Sequence, residues 1–144
     1  MAERSKVFLR IAGVLFVFLG LAWSVGGVAL LSNGPEASPR IVAAASTTRI
    51  IAASLLVVGA FLIVSGLAVL LRSRLAWLAG ISAAVAFVLD SFVSNYVLFG
   101  SLQLPQPLAH TAVAALVLYF VSKGRQELGA DPRRLIVRQT MEEE

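Results

Sequence analysis

LAWLAGISAAVAFVLDSFVSNYVLF, residues 75–99, decides how this chain folds. The run carries one formal charge, Asp90, and it never alternates polar with apolar. A bilayer core of about 30 Å is crossed by a helix of about 20 apolar residues, so this run is long enough to span. In hydrocarbon the backbone must satisfy its own hydrogen bonds, which leaves helices or closed barrels. A barrel strand would alternate at period 2, and nothing here does.

Working outward, three further apolar blocks appear at residues 7–31, 50–71 and 104–121. The first two match the opening run in length and the last is shorter. Across all 144 residues the chain is 58% hydrophobic and 14% charged, with a mean hydropathy of +0.87. A water-soluble domain of this size has too much surface for so few polar groups. The expectation is an all-α, polytopic membrane protein. Residues 1–122 would form a four-helix transmembrane bundle, and 123–144 a separate tail of mixed basic and acidic character. Residues 1–10, MAERSKVFLR, resemble the basic start of a signal peptide. The apolar stretch after them is longer than such a segment needs, and no A-x-A cleavage site follows near Ser32 or Asn33, so a retained first span is expected.

Basic residues sort the connecting segments. Arg4, Lys6 and Arg10 precede or open the first block, Arg72 and Arg74 join the second to the third, and Lys123, Arg125, Arg133, Arg134 and Arg138 follow the fourth. Only Arg40 and Arg49 fall on the other side. The positive-inside rule then puts both termini in the cytoplasm and the segments around 32–48 and 100–106 outside, in a cell membrane of bacterial inner-membrane type. The same placement explains the net charge of +4 without nucleic acid, so no nucleic-acid partner is expected. The lipid bilayer is the partner implied, with a homo-oligomer or larger membrane complex open to such a bundle. In layout the chain is similar to many small four-helix bacterial membrane families, DoxX-like ones among them. That likeness is one of architecture and carries no functional residues across.

Punctuation fits this layout. Asn33-Gly34-Pro35 supplies a turn and Pro39 a second break, and Ser46, Thr47 and Thr48 are candidate caps for the second span. Residues 41–49 read as a short interfacial helix or as an early start to that span. Pro107 suits the first turn of the fourth. In the tail, Arg133, Arg134 and Arg138 interleave with Leu135, Ile136 and Val137, a pattern for a mobile segment or one lying on anionic lipid. Small residues supply the packing surfaces: Gly13, Gly20, Ser24 and Gly27 in the first span, Ala52, Gly59 and Gly66 in the second, Ala76, Gly80 and Ala84 in the third. The first two spans share the pattern R-I-x8-G-x6-G-x-A at a 39-residue offset, as an inverted repeat would. Trp23, Trp77, Tyr96 and Tyr119 lie toward span ends, where aromatic residues anchor at the interface.

Counting from the outer ends collects the polar residues. Asp90 lies about 12 Å deep at 1.5 Å per residue. His110, the only histidine, lies about one turn into the fourth span, and Arg49 opens the second. Ser94 is one turn outward from Asp90, with Asn95 beside it; Ser91, Gln103 and Thr111 complete the set. A carboxylate at the helix centre costs roughly 2.5 to 3.5 kcal/mol on insertion scales, so it has a partner or a purpose. The structural reading bonds Asp90 to Arg49, His110 or Ser94 and fixes helix register. The functional reading is an outward-facing polar pocket in which Asp90 and His110 handle a proton or a ligand.

Motifs for chemistry are missing. Ser, His and Asp occur without a nucleophile elbow, the absence of cysteine removes thiolate chemistry, and one His with one Asp makes a poor metal site. Neither a P-loop nor GxGxxG occurs. No catalytic residue, metal or cofactor is therefore expected. The leading expectation is an integral membrane protein acting by association, as an accessory subunit or scaffold. The alternative is small-molecule or ion binding or transport through the pocket around Asp90, His110, Arg49, Ser94 and Asn95.

Overall fold

The computed structural model describes residues 2–125. Four helices follow one another: α1 (Ala2–Asn33), α2 (Ala45–Leu70), α3 (Ala76–Phe99) and α4 (Pro105–Gly124), with a 3₁₀ turn at Gly34–Ala37. All four are long and apolar enough to cross a membrane. Each packs on its neighbours in sequence, and α1 closes the ring on α4. The tail expectation built on Arg133, Arg134 and Arg138 lies outside the described residues.

Helix ends differ from the capping expectation at one place. α2 starts early, at Ala45, and its cap is Ala44 with no side-chain hydrogen bond. Ser46, Thr47 and Thr48 therefore do not cap it. The Thr48 hydroxyl instead donates to Ala44 O at 3.0 Å, one turn back along its own helix. At the other end of α2, Ser73 N–H donates to Ala68 O and Arg72 N–H to Val69 O, the bonding of a Schellman close. That close needs a left-handed residue, here Arg72 at φ +54° rather than a glycine. α3 ends on Gly100 at φ +66°, a conformation that glycine adopts without strain.

The tightest seam runs between α1 and α2, through the glycines. A Cβ placed on Gly20 would lie 2.5 Å from Gly59 O, and one on Gly59 would lie 2.8 Å from Gly20 O. Gly13 and Gly66 face each other in the same reciprocal way, and Gly27 meets Ala52 O at 2.9 Å. Small residues thus recur every seven positions on both helices, which is close to two turns and keeps the stripe on one face. Two antiparallel helices in such contact must each present the same stripe. This accounts for the glycines of the pattern shared at the 39-residue offset, though not for its Arg-Ile start.

Register passes round the ring from there. Ser65 donates to Ala79 O and Ser54 to Asp90, pairing α2 with α3 at two levels eleven residues apart on each helix. Ser91 meets His110 and Asn95 meets Gln106, pairing α3 with α4 at two levels one turn apart. Leu9, Ala12, Phe16, Leu62, Val69, Ala83, Val117 and Val121 fill the core toward the chain termini. Toward the loops, Leu30, Ile51, Leu55 and Leu98 form a smaller apolar cluster.

Candidate functional site

Between those two clusters lies one polar layer, with a residue from every helix. Trp23 comes from α1, Ser54 from α2, Asp90 with Ser91 from α3, and His110 from α4. Asp90 is nine residues from the end of α3, about 14 Å from the loop end of the bundle at 1.5 Å per residue.

Both carboxylate oxygens of Asp90 have donors. The Trp23 indole N–H donates to Oδ2 at 2.7 Å, and the Ser54 hydroxyl reaches Oδ1 at 2.8 Å. Ser54 Oγ also lies 2.8 Å from Ile51 O, so its single proton has two acceptors within reach. None of the partners expected from the sequence is used. Arg49 is exposed in the second turn of α2 and makes no hydrogen bond to the layer; Ser94 donates to Ser91 O at 3.4 Å; His110 bonds Ser91. Trp23 is accordingly not an interfacial anchor. It lies ten residues inside the end of α1 and turns inward, with its ring 4.6 Å from Phe87 and 4.8 Å from His110, edge to face with both. At the opposite end of the bundle Trp77 does lie at a helix start, with the Arg125 guanidinium over its ring at 4.9 Å.

His110 Nδ1 lies 2.6 Å from Ser91 Oγ. Ser91 is buried, and this is its hydroxyl's one partner. A hydroxyl that donates to Nδ1 uses its proton, whereas one that accepts from Nδ1 leaves a buried proton unused. The first arrangement puts the imidazole proton on Nε2, which has no protein partner. Closer to the loops, buried Asn95 accepts the Gln103 N–H on Oδ1 at 2.8 Å and donates from Nδ2 to Gln106 Oε1 at 3.4 Å. Thr111, grouped with these residues by sequence, turns back to donate to Pro107 O at 2.8 Å.

Above the polar layer is a cavity of about 320 Å³. His110, Asn95 and Gln106 are among its polar lining residues, and Leu30, Leu55 and Leu98 among its apolar ones. The 34–44 segment roofs it with Ala37, Ser38 and Ile41, and is held down where Val42 N–H donates to Leu98 O at 2.8 Å. Gly26 forms part of the α1 wall, and a Cβ placed on it meets nothing within 4 Å. Asp90 and Arg49 are not among the lining residues. The expected cluster is thus divided: Asp90 belongs to the helix-joining layer, and His110, Ser94 and Asn95 belong to the cavity.

Trp23, Ser54 and Gln106 are the residues that sequence reasoning missed. Ser54 and Ser65 stand eleven residues apart, which is three helical turns, so both face α3; that spacing was the available signal. Comparisons of the chain with protein families, with curated proteins and with solved structures gave no match.

Proposed function

We propose that this chain is a multi-pass protein of a cell membrane, of bacterial inner-membrane type, with both termini cytoplasmic, and that it binds a small molecule in the cavity at its outer end. Membrane placement is supported by exposed apolar residues along the middle of the helices, such as Phe18, Val25, Val57 and Val64, a surface that hydrocarbon tolerates and water does not. Orientation is supported by the sequence positions of the basic residues, ten in the N-terminal, 72–74 and C-terminal segments against two, Arg40 and Arg49, between α1 and the start of α2. The cavity carries the functional reading. Its volume falls within the usual range for ligand sites, and apolar walls with a few convergent polar groups are what such sites need.

Gly26 provides the test. A Cβ there meets nothing within 4 Å, so Gly26→Leu is expected to place its side chain in the cavity. The expected outcome is a fold as stable as the parent's, with a stoichiometric small molecule extractable from the purified parent and absent from the variant. Equal recovery from both proteins would sink the binding reading.

Association as an accessory subunit rests on a separate observation. Ala84, Ala114 and Ala115 help line an apolar groove of about 270 Å³ between α3 and α4, and small residues of this kind let another helix approach closely. The chain has no cysteine, so Ala115→Cys gives a single cross-linking position. A disulfide-linked dimer formed in the membrane would support association of two copies through this face, and a monomer under oxidising conditions would count against it.

A further inference from the structure

The chemistry left open in the cavity is one-sided, and we infer that its ligand is a small uncharged molecule whose polar end is a hydrogen-bond acceptor, such as a ketone, ester or amide carbonyl. This inference rests on the proposal that the cavity is a binding site and specifies what the site accepts.

The amide and imidazole acceptors at the polar wall each already have a donor from the protein. Asn95 Oδ1 takes the Gln103 N–H, Gln106 Oε1 takes an Asn95 N–H, and His110 Nδ1 takes the Ser91 hydroxyl. What remains free is a set of donors: the Nε2–H of His110, the amide N–H groups of Gln106 and the second amide N–H of Asn95. An incoming donor would leave those N–H groups unpaired. A carbonyl oxygen would complete them.

Among the described residues no charged side chain lines the cavity. The two oxygens of the Asp90 carboxylate below it are already engaged by Trp23 and Ser54, and Arg40 in the roof segment is exposed. A cation entering would find no carboxylate, and an anion no guanidinium or ammonium, among the described lining residues. Burying either ion unpaired costs far more than burying a neutral carbonyl that is hydrogen-bonded. Elsewhere in the lining, the side chains of Leu30, Leu55 and Leu98 offer only carbon, which suits the apolar remainder of the same molecule.

Three probes of equal size and different head chemistry test this by equilibrium dialysis of the full chain in detergent, against detergent alone. Acetophenone is expected to bind saturably, one per chain, at least tenfold more tightly than benzoate or benzylammonium. Gly26→Leu should abolish that binding. His110→Phe keeps a ring and removes the Nε2 donor, and should weaken acetophenone about tenfold, the value of one hydrogen bond at the upper end of its range. Benzoate or benzylammonium binding as tightly as acetophenone, and lost in Gly26→Leu, would overturn the inference about ligand class while leaving the site standing. Absence of saturable binding for all three probes would overturn both.

Discussion

Gly59→Leu is expected to break the pairing of α1 with α2 and to leave most of the purified protein unfolded or aggregated in mild detergent. Even the first carbon of the new side chain would lie 2.8 Å from Gly20 O and 3.0 Å from Ser24 N. Both are backbone atoms of a long helix, and neither can swing aside as a flexible side chain would. Overpacking in a core costs about 1 to 3 kcal/mol and sometimes more. With backbone on the far side, the upper end or beyond applies. The loss extends past the clash. In lipid there is no hydrophobic force between helices, so α1 and α2 adhere by close approach. Gly20 and Gly59 each put an α-carbon against the other helix's carbonyl, the arrangement in which weak Cα–H···O contacts form. Moving the helices apart weakens all three levels of the seam together. Two substitutions make the measurement specific. Gly26→Leu, one position from the seam residue Gly27, meets open space, and a Cβ on Gly80 of α3 meets nothing closer than 3.6 Å. Both Gly26→Leu and Gly80→Ala should unfold within about 0.5 kcal/mol of the parent in a denaturant titration. Similar midpoints for Gly59→Leu and Gly26→Leu would mean that the seam does not hold the fold.

The helices were legible because hydrocarbon length is a coarse requirement and the apolar blocks meet it without ambiguity. The seam residues Gly13, Gly20, Gly27, Ala52, Gly59 and Gly66 were legible for a similar reason, since few residue types let two backbones approach. The site was legible in depth and not in rotation. Arg49, Asp90 and His110 are all nearer the loops than the termini, as counting along each helix required. Which way each residue points is set by the seam and by register between helices, and neither is written in the spacing of a single span. Arg49 illustrates this. It lies five residues before Ser54, about 140° around the helix at 3.6 residues per turn. With Ser54 against α3, Arg49 turns away from it and stays exposed. Trp23 shows the converse: an aromatic residue near a span end suggests an interfacial belt, yet ten residues from the end of α1 is deep enough to reach the carboxylate. The cavity had no signal at all, because an open space left by Gly26 under a loop exists only once four helices and their roof are assembled.

Trp23→Phe is expected to lower the unfolding free energy by about 2 to 3 kcal/mol, most of it through Asp90. A hydrogen bond to a charged group contributes about 1.5 to 3 kcal/mol, and its removal here leaves carboxylate Oδ2 without its donor. Some of the loss would come from ring contacts with Phe87 and His110, so the single variant does not isolate the bond. A double-mutant cycle does. In an Asp90→Leu background the acceptor is gone, and Trp23→Phe should then cost under about 1 kcal/mol, leaving a coupling of about 1.5 to 3 kcal/mol. Asp90→Asn behaves differently for a reason visible in the geometry. An asparagine oxygen accepts the Trp23 N–H, its amide donates to Ser54 Oγ, and Ser54 is then free to donate to Ile51 O at 2.8 Å. Every partner is kept, so Asp90→Asn should stay within about 1 kcal/mol of the parent. Unchanged stability in that variant therefore says nothing against a structural Asp90. A coupling near zero in the Trp23–Asp90 cycle would say a great deal, because it would leave a carboxylate in the middle of the bundle with no structural return, and the argument for function at Asp90 itself would reopen. With the coupling present, Asp90 joins α1, α2 and α3 below the cavity, and ligand chemistry rests with His110, Asn95 and Gln106 above it.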